Sequence, residues 1–156
     1  MEAAVLYCGA RRTAYCQELL ETNGFRLTQI CAAGEDSQMA RMGILLSKNQ
    51  LLLILGPEHN GEPTFGKPFF RALHVPTLDE NPQGILVLHG KGCIGWLIES
   101  REQAVALLPD RPEHLQLLLP ELWLRLCKKF GLSMPEIQKS AVNYEQAVER
   151  DFSGKE

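Results

Sequence analysis

Polar residues that could bind a small anion follow the most apolar stretch of the chain. Residues 56–64 read Gly-Pro-Glu-His-Asn-Gly-Glu-Pro-Thr. Glycine lets the backbone approach a phosphate or a pterin closely, and a helix that begins after this loop would favour an anion at its N-terminus. Asn60, Glu62 and Thr64 add hydrogen-bonding groups. A Gly/Pro/Asn-rich connection is also the ordinary way to leave a strand, so the segment can equally be read as a plain turn.

A second loop of similar character lies later in the chain. Residues 108–112 read Leu-Pro-Asp-Arg-Pro and come between a predicted strand and a long predicted helix. Arg111 could pair with a phosphate. The structural alternative makes Asp110 the N-cap of that helix, in a capping box with Glu113. Taken together, the two loops give our predicted ligand-binding set: Gly56, His59, Asn60, Gly61, Glu62, Thr64, Pro109, Asp110 and Arg111.

The sequence names no catalytic residue with certainty, and Glu62 is the best candidate. The four histidines lack metal-ligand spacing, and the five cysteines form no C-x-x-C pair, so we predict no zinc or redox site. No Walker A loop and no G-x-S-x-G elbow is present. A G-x-G-x-x-G match that begins at Gly90 falls between two predicted strands and does not open a helix.

Bulk composition excludes several classes of partner. With 156 residues, a formal charge of −3 and 45% hydrophobic residues, the chain suits one globular domain with no general affinity for nucleic acid. No stretch approaches the ~20 apolar residues that cross a bilayer, and the N-terminus lacks the basic region of a signal peptide. We therefore expect a cytoplasmic protein without a membrane partner, whose cysteines are reduced core residues.

The order of predicted elements places both loops at one edge of a sheet. Residues 51–55 are five apolar residues, which indicates a strand buried on both faces, and strands alternate with helices before it. Residues 85–99 suggest an antiparallel hairpin with a glycine-rich connection. We predict a three-layer α/β fold, with a mostly parallel sheet, one antiparallel hairpin and helices on both faces. Ligands of such sheets bind at the carboxyl ends of the strands.

The C-terminal third is predicted to be helical. A long apolar stripe ends near Phe130, and Pro120 should kink or split that helix. A further helix should begin at Ser133. We accordingly divide the chain into an α/β domain at residues 1–132 and a C-terminal helix with a frayed tail at residues 133–156, packed on the domain.

This arrangement resembles the molybdopterin-binding domain of molybdenum-cofactor biosynthesis proteins and of competence/damage-inducible proteins. Residues 54–64 look like that family's central strand and the loop that follows it. Residues 106–113 are similar to its leucine-proline-glycine-x-proline turn, with Asp110 where glycine is usual. The hairpin at residues 85–99 is also similar. The resemblance covers roughly residues 3–130 and implies the fold stated above, with molybdopterin or a nucleotide as ligand and Mg²⁺ as a further candidate.

Three departures bear on the chemistry that the resemblance implies. Gly9 is followed by Ala-Arg-Arg in place of the family's aspartate and glutamate. Pro57 removes a backbone donor. The family's paired acidic residues are reduced to Glu62, and one carboxylate binds Mg²⁺ weakly. Whether the protein is an enzyme is therefore open.

Three functions remain at this stage. The first is a divergent molybdopterin-binding-like domain that binds a pterin or nucleotide phosphate at the strand-end loops, in molybdenum cofactor metabolism. The second is a non-catalytic assembly or regulatory module, with Trp96, Trp123 and the leucine-rich helix at residues 115–126 at a subunit interface; we expect a homo-oligomer. The third is a metal-dependent nucleotide-diphosphate pyrophosphatase.

Overall fold

The computed structural model describes residues 1–79 and 81–131. The predicted helix from Ser133 and the tail lie outside these residues. The elements in chain order are β1 (Glu2–Cys8), α1 (Thr13–Thr22), β2 (Arg26–Ala33), α2 (Gln38–Leu46), β3 (Leu51–Gly56), β4 (Glu58–His59), β5 (Glu62–Pro63), α3 (Gly66–Ala72), β6 (Thr77–Leu78), β7 (Asn81–Pro82), β8 (Leu86–Gly90), β9 (Cys93–Glu99), β10 (Ala104–Pro109) and α4 (Pro112–Phe130).

Six strands form one sheet in the order β2-β1-β3-β10-β9-β8. The first four are parallel, and β9 and β8 continue the sheet as an antiparallel hairpin. β3 lies between β1 and β10, as its unbroken apolar run predicts, and all six of its residues are buried. The predicted mixed α/β sheet is confirmed.

Alternate residues of the central strands point into two separate cores, because successive side chains of a strand face opposite ways. Leu53 and Leu55 pack with residues of α1 and α4 on one face. Leu52 and Ile54 pack with residues of α2 and α3 on the other. Burying a leucine or isoleucine side chain contributes about 1.5–3 kcal/mol, so this double burial holds the carboxyl end of β3 rigidly in the middle of the fold.

The long helix rules out one of the two alternatives predicted for Pro120, and it corrects the prediction for Asp110. α4 continues from Pro112 to Phe130 with Pro120 inside it, so the proline does not split it. Its N-cap is Arg111, and no side chain caps it in the described part of the chain. The capping box of Asp110 with Glu113 is therefore wrong, and the Asp110 carboxylate serves another purpose.

The two tryptophans belong to the chain's own cores. Trp96 is 5% exposed and packs edge-to-face against Phe70, with 5.2 Å between ring centroids. Trp123 is 6% exposed and packs in the same manner against Phe25 at 4.8 Å. Their predicted place at a subunit interface is wrong, because neither ring is available to a partner.

Among the described residues, no helix combines the length and the apolar character needed to cross a membrane.

Candidate anion-binding site

The carboxyl ends of three adjacent strands meet at one cleft of about 590 Å³. β1 leads into Gly9 and residues 11–12, β3 leads into residues 57–60, and β10 leads into residues 110–111. These strands are neighbours in the sheet and parallel, so the loops after them are brought together although they lie up to about a hundred residues apart in sequence. We call this space the strand-end cleft.

Part of the loop after β3 folds back on itself. The segment, which the sequence predicts to be irregular, contains a two-stranded hairpin in which Glu58 pairs with Pro63 and His59 with Glu62. Asn60 has φ 53° and Gly61 has φ 80°, the pair of positive angles that a tight two-residue hairpin turn needs. The Asn-Gly dipeptide is the sequence signal that could have found this turn.

Gly61 fixes the hairpin against the rest of the protein. Its carbonyl oxygen accepts a hydrogen bond from the Ile94 backbone N–H at 2.8 Å. A Cβ at Gly61 would collide with the carbonyl oxygen of Gly92. Gly61 therefore serves close packing and does not line the cleft.

Other members of the predicted set also shape the loop without facing the cleft. The Thr64 hydroxyl and backbone N–H both donate to the Pro57 carbonyl oxygen, at 3.2 and 3.0 Å, and close the loop. A Cβ at Gly56 would lie 2.5 Å from the Phe65 ring. Glu62 is exposed and is not part of the cleft wall.

The structure brings four of the nine predicted residues together in the cleft: His59, Asn60, Asp110 and Arg111. The cleft is completed by five residues outside the predicted set: Gly9, Arg11, Arg12, Pro57 and Glu58. The loop that the sequence analysis did not include is the one after β1. Its position beside the loop after β3 depends on the order of the strands in the sheet. A strand-helix-strand reading alone does not fix which earlier strand lies next to β3.

Asp110 connects all three sides of the cleft. It is 6% exposed, and its Oδ2 accepts a hydrogen bond from the Arg11 backbone N–H at 2.8 Å. Its own backbone N–H donates to the Gly56 carbonyl oxygen at 2.9 Å. The Cys16 thiol donates to the Asp110 carbonyl oxygen at 3.1 Å. Asp110 therefore acts as a structural tie between loops.

Glu58 is committed to a contact with His114 of α4. Its two carboxylate oxygens lie 2.7 and 2.8 Å from Nδ1 of His114, and the side chains are 11% and 18% exposed, respectively. The Cys93 thiol donates to the His114 carbonyl oxygen at 3.7 Å. Burial, and then the charge of Glu58, raises the pKa of Cys93. A thiol held in its protonated form is a poor nucleophile, so this cluster stabilises the fold and is not a cysteine-histidine catalytic pair.

Three guanidinium groups supply the charge of the cleft. Arg11, Arg12 and Arg111 all line it and are all exposed. Arg12 is also the N-cap of α1, in a left-handed conformation with φ 55°, and no described side chain caps that helix. The N-terminus of α1 thus presents backbone N–H groups beside two arginines, an arrangement that favours an anion.

The residues present do not fit Mg²⁺. Mg²⁺ needs oxygen ligands in near-octahedral arrangement, usually one or two carboxylates with water and phosphate. Of the carboxylates that line the cleft, Asp110 accepts the Arg11 N–H and Glu58 binds His114, while three arginines surround them. Within the described residues, no cluster of three or more His, Cys, Asp and Glu side chains could hold a metal ion.

Comparison with solved structures identifies the fold. CinA from Thermoplasma acidophilum, whose function is described as unknown, superposes with a TM-score of 0.58 at 13% identity, over 85% of this chain and 100% of that one. The fold is that of CinA and MoaB. The molybdopterin biosynthesis enzyme MoaB from Thermus thermophilus gives a TM-score of 0.52 at 16% identity, over 83% of this chain and 96% of that one.

No family model matches the chain, and no curated protein matches it. The structural comparison nevertheless confirms the predicted resemblance at the level of the fold, which is MoaB/CinA-like.

Proposed function

We propose that this domain binds the phosphate group of a small molecule at the strand-end cleft, without the help of a divalent cation. The observation that carries the proposal is the convergence of Arg11, Arg12 and Arg111 on one cleft beside the N-terminus of α1. Guanidinium groups and helix N-terminal N–H groups both recognise phosphate oxygens directly. The charge that a metal ion would bring is already supplied by the protein.

The ligand is a pterin or a nucleotide phosphate. Support for this class comes from the MoaB-like fold, since the MoaB neighbour is a molybdopterin biosynthesis enzyme. A cleft of about 590 Å³ lies within the usual range for small-molecule sites. A place in molybdenum cofactor metabolism follows from this proposal, with molybdopterin or its adenylate as the first ligands to test.

The positions of the carboxylates support ligand binding without catalytic turnover. A general base needs a carboxylate that can reach its substrate. Asp110 and Glu58 are both held by other groups, and the exposed Glu62 side chain is not part of the cleft wall. Metal-dependent pyrophosphatase activity is correspondingly disfavoured.

Assembly into a homo-oligomer and a cytoplasmic location stay part of the proposal. Leu117 and Leu124 lie one heptad apart on α4 and are 45% and 47% exposed, which supports a contact between copies through that helix face. Light scattering at several protein concentrations tests the oligomer, and a monomer throughout would contradict it.

Calorimetry in EDTA tests the proposed ligand directly. Molybdopterin, its adenylate and ADP-ribose are titrated into the full chain, and at least one should bind. Arg11→Gln and Arg111→Gln should each weaken binding about ten-fold, as expected for loss of a charged hydrogen bond. Arg41→Gln, an exposed arginine on α2, is the matched control and should bind like wild type. No heat with any ligand, in protein shown to be folded, would overturn the proposal.

A further inference from the structure

A second concave surface of about 330 Å³ adjoins the strand-end cleft, between α1 and the first turn of α4. Tyr15, Leu19 and Pro112 give it an apolar wall. Its polar edges are formed by Glu18, Thr22, Glu113 and Gln116. We call it the helix groove. No part of the predicted binding set lies in it.

Tyr15 is the most unusual residue of the groove. Its side chain is 65% exposed, although a tyrosine ring contributes most to stability when it is buried. Tyr15 and Leu19 are one helical turn apart and therefore present adjacent side chains on the same face of α1. An exposed aromatic ring beside a leucine and a proline provides a surface on which a planar heterocycle can stack.

Two of the four polar residues at the edges of the groove are acidic. Glu18 has no ion pair with any residue that the structure describes. The pKa of Glu113 is lowered, first by a hydrogen bond from its own backbone N–H and then by the nearby charges of Arg111 and Arg12. Carboxylates accept hydrogen bonds from N–H donors and repel anions, so these edges favour a ligand group that is rich in N–H.

Residues that line the groove lie close in sequence to residues that line the cleft at two places in the chain. Pro112 follows Arg111 directly, and Arg111 Nε lies 3.7 Å from Glu113 Oε1. On the other side, Tyr15 is three residues from Arg12, so the two lie about one turn apart on α1. Glu18 is six residues from Arg12, about 9 Å along the helix axis. A ligand that spans both spaces would meet arginines at one end and carboxylates at the other.

We infer that the helix groove binds the 2-amino-4-oxopyrimidine edge of a ligand whose phosphate occupies the strand-end cleft. This edge, which guanine and pterin share, carries an N–H and an adjacent NH₂ that can donate side by side to one carboxylate. Adenine has no such pair of donors. The inference rests on the proposed phosphate site and assigns the groove the recognition of the ring.

The experiment separates the ring from the phosphate by using ligands that carry only one of them. Guanosine, neopterin and adenosine carry a ring and no phosphate, and ribose 5-phosphate carries the phosphate and no ring. Each is titrated into ¹⁵N-labelled full chain in EDTA, and amide shifts locate the site. Guanosine, neopterin or both should shift amides of residues 15–22 and 112–116, and adenosine should bind at least about five-fold more weakly. Whichever of the two binds tighter identifies the source of the ring.

Three variants test the roles of the residues. Tyr15→Ala should weaken ring binding about ten-fold, in line with measured stacking energies, and Tyr15→Phe should restore it. Glu18→Gln should reduce the preference for guanosine over adenosine. Ile44→Ala, which removes an exposed apolar side chain from α2, is the matched control and should leave binding unchanged. None of these side chains is buried, so the variants should fold.

The two proposals fail by different results. If ribose 5-phosphate shifts the cleft but neither guanosine nor neopterin binds the groove, the ring site is wrong and the phosphate site stands. Equal binding of adenosine and guanosine, or unchanged ring binding by Tyr15→Ala, also overturns the ring site. If ribose 5-phosphate leaves the cleft amides unmoved, the phosphate site is wrong, whatever the groove binds.

Discussion

The backbone N–H of Arg11 donates to Oδ2 of Asp110 at 2.8 Å, across 99 positions of the chain. This bond joins the loop after β1 to the loop after β10 and so fixes the two arginine-bearing walls of the strand-end cleft. Because Asp110 is buried, its carboxylate depends on the Arg11 N–H for a hydrogen-bond partner.

Removing the Asp110 carboxylate should therefore affect stability and binding together. Asp110→Ala leaves the Arg11 N–H without its acceptor, and we expect a loss of about 1–3 kcal/mol in the free energy of unfolding. Ribose 5-phosphate should bind more weakly, because the Arg11 loop loses its anchor. Asp110→Asn keeps an oxygen acceptor and should retain most of both properties. Urea unfolding measures the first effect, with the exposed Asp36→Ala as control; equal stability of Asp110→Ala and Asp36→Ala would refute the role.

Arg12 should show a trade-off between stability and binding. Its φ of 55° is unfavourable for any residue with a Cβ, and glycine removes that strain. Arg12→Gly should gain up to about 1 kcal/mol of stability and at the same time lose affinity for phosphate. Arg12→Gln keeps the strain and should lose affinity without the gain. Thermal unfolding and calorimetry of the two variants give the comparison, and a destabilised Arg12→Gly would contradict it.

Because the β4-β5 hairpin is closely packed, two glycine substitutions should differ in how much stability they cost. Gly61 and Gly84 have similar angles, φ 80° and 75°, but only Gly61 would place a Cβ against neighbouring backbone. Gly84→Ala carries the conformational cost alone, about 1–2 kcal/mol. Gly61→Ala should cost clearly more and should change the amide signals of Gly92 and Ile94. Equal losses of stability in the two variants would show that the hairpin is not docked as described.

Alkaline pH should destabilise the protein through its buried thiols. Burial raises the pKa of Cys16 from 9.0 to about 11, and that of Cys8 from 9.0 to about 12. Above pH 9 the unfolded chain releases these protons while the folded chain keeps them, so the free energy of unfolding falls with rising pH. Below pH 9 this contribution is constant. Urea unfolding from pH 7 to 10.5 should show this decline in the free energy of unfolding, and the decline should be shallower in Cys16→Ala. A free energy of unfolding that does not change with pH in the wild type would contradict the prediction.

The sequence is most informative where one physical effect dominates. The five apolar residues 51–55 can only be accommodated with both faces buried, and the hairpin at residues 85–99 carries its own turn glycines, so strand β3 and the antiparallel end of the sheet are predictable. Trp123 shows the limit of this approach, because an apolar stripe does not reveal whether it meets the chain's own core or a partner.

Part of the site cannot be read from the sequence for a topological reason. Arg11 and Arg12 stand out only as departures from a family pattern, because nothing local indicates that the loop after β1 lies beside the loop after β3. The commonest use of an aspartate at the position of Asp110 is a helix cap, whereas its true partner lies 99 residues away. Such long-range contacts depend on strand order, which local patterns do not encode.

The central claim is that the three strand-end loops bind an anion without a metal ion. It is tested most directly by adding inorganic pyrophosphate to ¹⁵N-labelled protein in EDTA and mapping the amides that shift. The account predicts shifts at residues 9–13, 58–60 and 110–111, unchanged when Mg²⁺ replaces EDTA. Shifts confined to the opposite end of the sheet, near residues 47–49 and 100–103, or binding that appears only with Mg²⁺, would contradict it.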